Sequence, residues 1–422
     1  MKSVKPFTLS LIFLSFTLSF AQYEGYSPTA WEDQQKIETL FLENLEVTSF
    51  KKHLIKLTER PHVVGSEANT EVQKYMGTVM EKAGFKVTNY PYDVYLPKEP
   101  GNSLVEIVTP SRAVLNQKED IIPGDPFSKD PLLWKGWNAF SGSGDVTAEV
   151  VYANYGRKED FETLKELGIE VEGKIVLARY GGNFRGFKAK FAEANRAAGL
   201  IIFTDPKDSG FTKGLVYPEG PYYNESTIQR GSLLTTDFTG DPLTPFEPAL
   251  PLDEKKKIKR LDPKQAQLHT IPVTPIGYGE VSKILGQMRG KAVPQSWQGG
   301  LPFTYRLEGG DALTVRLKVE QKIDFVRATN VVGMLEGSEA PDEWIILGCH
   351  FDAWGFGATD PNSGTAMLLS LSETLGQLKE AGYTPKRSIL IGHWDAEEHG
   401  VIGSSEWVEQ MRDQLNAKGV AY

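Results

Sequence analysis

"EWIILGCHFDAWGFGATDPNSGTAMLLSLSETLGQLKEAG", residues 343–382, opens as an apolar run, passes through a glycine-rich loop and closes as a helix. The run 343–350 has the near-continuous apolar pattern of a parallel strand covered on both faces. Asn362 or Ser363 is placed to cap the helix, and Gly382 to close it. A second buried strand, "RSILIGHW" (387–394), then runs into the loop "DAEEHG" (395–400). Strand, crossover helix and strand of this length make a parallel pair with a right-handed connection. Both carboxyl ends therefore lie along one sheet edge, where open α/β folds bind ligands. His350, Asp360, Glu397 and Glu398 all fall on that edge.

Histidine and carboxylates converging there suggest zinc, which takes nitrogen and carboxylate oxygen where thiolate is absent. An aspartate can bridge two metals about 3.5–4 Å apart, and Asp360, stiffened by Pro361, is the candidate bridge. Of the adjacent glutamates, Glu398 is assigned to the metal and Glu397 to accepting the proton of the attacking water. Asp352, two residues past His350, is placed to accept the other imidazole N–H. A lone strand-end histidine is usually structural and an acidic loop pair usually solvated; four such residues on one edge tip the balance toward function. His393 and His399 are expected to serve packing or loop hydrogen bonds, while His53, His62 and His269 have no constellation around them. Cys349 is read as a core residue, facing away from His350 because successive strand side chains alternate.

The 422-residue chain carries a net charge of −9 and lacks a basic stretch, which argues against nucleic acid as a partner. Its start, "MKSVKPFTLSLIFLSFTLSFAQ", reads as a secretory signal peptide over residues 1–21, implying an exported protein, periplasmic or extracellular, with no membrane span after cleavage. One cysteine means no intrachain disulfide.

Elsewhere, "SEANTEVQKYMGTVMEKAGF" has a helical period ending at Gly84, and "KVTNYPYDVYL" follows as a strand. Residues 97–135 read as a long connection. "AEVVYANYG", "KEDFETLKELG", "GKIVLARYG", "FKAKFAEANRAAG" and "LIIFTD" alternate strand and helix, a small α/β module. The fold class is α/β: a mostly parallel-sheet domain (22–97 and 326–422) interrupted by a second α/β domain over 98–325.

Those assignments acquire a family context in "GCHFDAWGFGATDPNSG" and "WDAEEHGVIGSSEW". From about residue 50 onward the chain resembles the M28 zinc peptidases, specifically the glutamate carboxypeptidase II branch. The resemblance implies a dizinc exopeptidase acting on peptides, with His350, bridging Asp360 and Glu398 as ligands and Glu397 as general base. It implies that the middle module is an inserted protease-associated (PA) domain, and that Arg185, in "YGGNFRGFK", grips the substrate's terminal carboxylate. It also implies a calcium site on Glu406 and Glu409 with backbone oxygens of Thr244 and Glu247. Ser232 stands where the family has an asparagine near that carboxylate, a departure that bears on any preference for C-terminal glutamate.

Two tetrahedral zinc ions need about three protein ligands each, five residues if Asp360 bridges, and three are visible. The end, "EWVEQMRDQLNAKGVAY", reads as a helix, a Gly419 cap and the start of a third strand, so the next ligand is expected past Tyr422. The family continues with that aspartate, a distant histidine and a helical dimerisation domain, so the chain is expected to be C-terminally truncated and the complete protein homodimeric. The competing readings are an M28 aminopeptidase and a non-catalytic binding protein like transferrin receptor. A subtilisin-like serine peptidase is excluded, because "NSGTAM" has Ala366 where that motif needs serine.

Overall fold

The computed structural model describes residues 27–417 and 420–421; the proposed signal peptide and Gly419 lie outside them. The chain divides into two compact units, Met1–Leu45 and Glu46–Tyr422. The first contributes helix α1 (Pro28–Asn44), whose Ser27 hydroxyl accepts the Ala30 N–H as an N-cap. No helix among the described residues is long and apolar enough to cross a membrane.

In the second unit, α2 (Val47–Leu57), α3 (Glu67–Lys82) and β1 (Lys86–Leu96) lead into the apical part. That part comprises β2 (Asn102–Thr109), β3 (Ala113–Val114), β4 (Asn138–Ala139), β5 (Gly144–Tyr152), α4 (Lys158–Glu166), β6 (Ile175–Arg179), α5 (Arg185–Ala194), β7 (Gly199–Phe203), α6 (Pro206–Ser209), β8 (Gly231–Ser232), β9 (Val273–Ile276), α7 (Tyr278–Leu285) and β10 (Thr314–Glu320). The chain returns through β11 (Asp324–Leu335), β12 (Ala340–His350), α8 (Asn362–Glu380), β13 (Arg387–Trp394), α9 (Ile402–Ala417) and β14 (Val420–Ala421).

The peptidase sheet runs β1-β11-β13-β12-β14. It is mixed: β13, β12 and β14 pair in parallel, while β1 and β11 add antiparallel neighbours. Alternation along the strands divides its core. Val331 and Ile391 face Met76 and Leu369 of α3 and α8, while Val332 and Leu390 face Trp407 and Met411 of α9. Cys349 is half-buried against the α3–α8 side.

Excursion between β1 and β11 builds a second sheet, β3-β2-β10-β5-β6-β7-β9, whose β5, β6, β7 and β9 are parallel. Residues 97–135, expected as connection, contain β2 and β3. The eight residues of β2 lie between Gly101 and Pro110, and their partner β10 is distant in sequence, so no local period betrays them. The proline-rich stretch before "TPIGY" likewise hides β8 and β9. Helix α8 is capped by Pro361 without a side-chain hydrogen bond, because Asn362 is committed elsewhere.

The two parts meet at an apolar cluster in which Val94 and Val326 pack with Trp137, Phe140 and Ala249. Within the apical part, Glu193 latches α5 to the segment before β9. One oxygen lies 2.7 Å from His269 Nδ1 and the other accepts the Thr270 hydroxyl at 2.9 Å and the Ile271 N–H at 3.2 Å. His269 thus has a network that sequence did not reveal. Burial opposes ionisation of Glu193, but these partners outweigh it and hold the carboxyl down at about 2, against an ordinary 4.5. A lowered folded value means stabilisation that is present above the unfolded value and lost as pH falls through the folded one. Glu193→Gln should cost about 3 kcal/mol near neutrality. In urea unfolding at several pH values, the gap to wild type should close between pH 4.5 and 2; a gap that stays constant across that window would contradict the assignment.

Candidate active site

β12 ends at His350 and β13 at Trp394, paired residue to residue in parallel register, so the loops that leave them start side by side. Between His350 and Asp360 the chain forms the tight loop "FDAWGFGAT", closed by the Asn362 N–H on the Gly357 carbonyl and leading into a cis Asp360–Pro361 peptide. His350 Nε2 lies 3.1 Å from Asp360 Oδ1 and 3.6 Å from Glu397 Oε2. His350, Asp360 and Glu397 therefore meet at one point.

Asp352 does more than orient the histidine. His350 Nδ1 is 3.2 Å from its main-chain oxygen and 3.5 Å from its Oδ1. The carboxylate itself, 1% exposed, accepts the Glu397 N–H at 3.0 Å and the Glu398 N–H at 3.2 Å. One buried aspartate thus carries both glutamates. Asp395 anchors the same loop from below, accepting hydrogen bonds from Asn69, Gln73, Thr329 N–H and Ala396 N–H. Ala396 (φ 56°) and Val401 (φ 57°) adopt the left-handed conformation on either side of the glutamates, which costs roughly 1–2 kcal/mol for each non-glycine residue. The buried hydrogen bonds offset that strain.

The charges of the site are out of balance. Burial, then Asp352 and Asp360, push the Glu398 carboxyl up to about 8, and burial with the same aspartates raises Glu397 against the pull of His350. Burial alone would lower His350, but Asp352 and then the two glutamates lift it to about 9. Crowded carboxylates beside a histidine are a donor set that a divalent cation would relieve, and nitrogen with oxygen suits zinc. Among the described residues, however, no three His, Cys, Asp or Glu side chains are arranged to hold a metal ion. His350, Asp360 and Glu398 fit zinc by the chemistry of their nitrogen and oxygen donors.

His62, which the sequence left without a role, is buried beneath the loop. Its N–H meets the Gly355 carbonyl, its Nδ1 lies 2.8 Å from the Arg60 carbonyl and its Nε2 is 3.1 Å from Asn362 Nδ2. Burial lowers its pKa, so a neutral ring can donate to Arg60 and accept from Asn362. No local pattern could have found it, because Asn362 is 300 residues away. His53 also has partners, Tyr75 and Glu373, on the α2–α8 face. His399 donates to the Pro97 carbonyl at 3.0 Å among Trp137, Trp354 and Phe140, and His393 is buried with neither ring nitrogen hydrogen-bonded among the described residues.

Arg185 opens α5 in the apical part. Its guanidinium lies against Gly231, where any side chain would come within 2.2 Å of Cζ, and over the rings of Phe184 and Tyr180 at 5.3 and 5.8 Å. It has no carboxylate partner among the described residues, and its Nε is buried without an acceptor. Next to Gly231, Ser232 donates to the His399 carbonyl at 2.8 Å, which ties β8, the strand against which Arg185 lies, to the glutamate loop.

At the expected calcium position, Glu406 is fully buried and accepts the N–H groups of Asp241 and Ala249. Burial, then Asp241 and Glu409, push it up to about 8; burial, then Glu247 and Asp241, raise Glu409 to about 7 and leave its Oε2 unpaired. All-oxygen donors with an orphaned carboxylate suit calcium. Thr244 is buried, its carbonyl accepting the Glu247 N–H, while Glu247 is exposed.

Comparison with known proteins places this geometry. The model of peptidase family M28 matches residues 330–422 and that of the PA domain residues 146–234. A glutamate carboxypeptidase 2 homolog of Caenorhabditis briggsae is 37% identical over 95% of this chain and 54% of its own length. Aminopeptidase NAALADL1 of Rattus norvegicus is 33% identical over 92% of this chain, again 54% of its own. The chain spans about half the length of these relatives. Two solved structures share the fold: an M28 peptidase precursor from Shewanella amazonensis SB2B (TM-score 0.56, 16% identity, 91% of this chain and 72% of that one) and an aminopeptidase from Aneurinibacillus sp. strain AM-1 (0.52, 17%, 90% and 70%).

Asp352→Asn keeps the shape but presents an NH2 group to one of the two glutamate N–H groups. It should lower stability by about 1–3 kcal/mol, the cost of an unsatisfied buried donor. Denaturant unfolding checks this; a change under about 0.5 kcal/mol would mean that Asp352 does not carry the loop.

Proposed function

We propose, from the match of residues 330–422 to the model of peptidase family M28 and of residues 146–234 to that of the PA domain, that the chain carries the chemistry of an exported zinc exopeptidase, a carboxypeptidase acting on short peptides. The observation that carries this reading is the convergence of His350, Asp360, Glu397 and Glu398 at the ends of adjacent parallel strands, with both glutamate amides held by Asp352.

His350, Asp360 as bridge and Glu398 would hold two zinc ions together with donors outside this set. When bound, the metal supplies Lewis-acid polarisation of the scissile carbonyl and acidifies water. Glu397 accepts the proton of the attacking water and passes it to the leaving nitrogen, so the carboxylate is regenerated. Its raised proton affinity suits that exchange. Asp352 keeps the base pointed at the reacting atoms, and Arg185, a half-buried cation with no anion of its own, receives the substrate's terminal carboxylate.

Calcium at Glu406 and Glu409, with the carbonyls of Thr244 and Glu247, would fasten α9 to the apical part. The signal peptide makes the protein periplasmic or extracellular. A homodimer would form through a further domain. An aminopeptidase is the second reading, since the rat relative and the Aneurinibacillus structure carry that name. The non-catalytic alternative is disfavoured by the presence of the first three ligand residues, His350, Asp360 and Glu398, together with the base Glu397.

Glu397→Gln should lower kcat by about 10²–10⁴-fold while zinc content, measured by atomic emission, is unchanged. Full turnover in the variant would remove Glu397 from the mechanism. Arg185→Ala should raise KM for peptides with a free C-terminus and leave C-terminally amidated peptides unaffected; an equal loss on both would favour the aminopeptidase.

A further inference from the structure

A cavity of about 350 Å³ lies beside the proposed centre, within the roughly 300–1,000 Å³ of sites that bury small ligands. Its wall is aromatic and apolar: Phe127, Leu133, Tyr217, Tyr222, Tyr223 and Phe356. Phe356 belongs to the loop between His350 and Asp360, and it meets Phe127 edge-on at 5.7 Å. Leu133 packs beside Gly355 of the same loop. At the opposite side, Tyr223 is near enough to feel the charge of Arg185. The cavity therefore adjoins the loop between His350 and Asp360.

The wall is already braced. Asn224 Oδ1 accepts the N–H and hydroxyl groups of Ser226 and Thr227, and its Nδ2 donates to the Tyr217 carbonyl at 3.2 Å. The acid Glu119 is neutralised by two 2.8 Å hydrogen bonds from Arg230. Asp120 and Asp125 remain at the rim, and neither forms an ion pair among the described residues. An acidic side chain would be repelled by Asp120 and Asp125 at that rim.

Resting on the peptidase reading, we propose that this cavity is a specificity pocket that takes an aromatic or large apolar side chain of the peptide substrate. Edge and face contacts with five tyrosine and phenylalanine rings favour an aromatic occupant over an aliphatic one of equal area. Selectivity would thus run toward peptides with an aromatic residue near the scissile bond rather than toward doubly acidic ones.

The test compares kcat/KM for the full-length zinc-loaded protein on peptides that differ only in carrying phenylalanine, glycine or glutamate next to the cleaved bond. Wild type should prefer phenylalanine over glutamate by tenfold or more. Phe127→Ala and Tyr222→Ala should each erase roughly tenfold of that ratio while leaving the glycine peptide within about twofold. Hydrolysis with no aromatic preference, or a preference that both variants keep, overturns the pocket but leaves the peptidase reading intact. No hydrolysis of any peptide overturns the peptidase reading; the pocket is then judged by calorimetric binding of N-acetylphenylalaninamide. Binding that Tyr222→Ala weakens tenfold supports it, and absence of binding overturns it.

Discussion

Everything at the sheet edge depends on the carboxylate of Asp352. A carboxylate this deeply buried must spend its oxygens on donors, and here each oxygen takes one backbone N–H, those of Glu397 and Glu398. The two glutamates are thereby fixed at their main chain while their side chains remain available. The same negative charge acts on every titratable neighbour, lifting His350 and making Glu398 reluctant to ionise. One residue sets both the geometry and the electrostatic imbalance that invites a cation.

The apical part is joined to this edge by few but specific contacts. Ser232 reaches the His399 carbonyl, Glu406 gathers the backbone of the loop 241–249, and the Val94–Trp137–Phe140 cluster fills the space between. Arg185 inherits its position from these contacts and from Lys188, one turn along α5. Lys188 Nζ ties the Tyr155 and Gly181 carbonyls and the Asn183 side chain, at 2.6–2.7 Å, under the helix start.

Local patterning made the strands β12 and β13 and the helix α8 legible, because a buried parallel strand is a continuous apolar run and its crossover helix has a sharp stop at Gly382. From those three elements the edge and its four residues followed. Family likeness, not periodicity, pointed to Arg185 and to the acids of α9. What stayed hidden was set by distance along the chain. β2 exists because β10 pairs with it, His62 matters because Asn362 meets it, and His269 has a role because Glu193 reaches it. The true duty of Asp352 also escaped, since spacing could relate it to His350 but not to N–H groups 45 and 46 residues further on.

β1 and β11 pair without interruption from Lys86 opposite Met334 to Leu96 opposite Asp324. The chain therefore leaves the peptidase sheet and re-enters it at two neighbouring positions, hydrogen-bonded to each other. In topological terms the whole apical part is the loop of a hairpin, grown until it has a sheet and core of its own. A tight turn between Leu96 and Asp324 would close the same two strands without moving them. The residues at the β12–β13 edge consequently belong to a sheet that closes without that loop, whereas Arg185 travels with the loop.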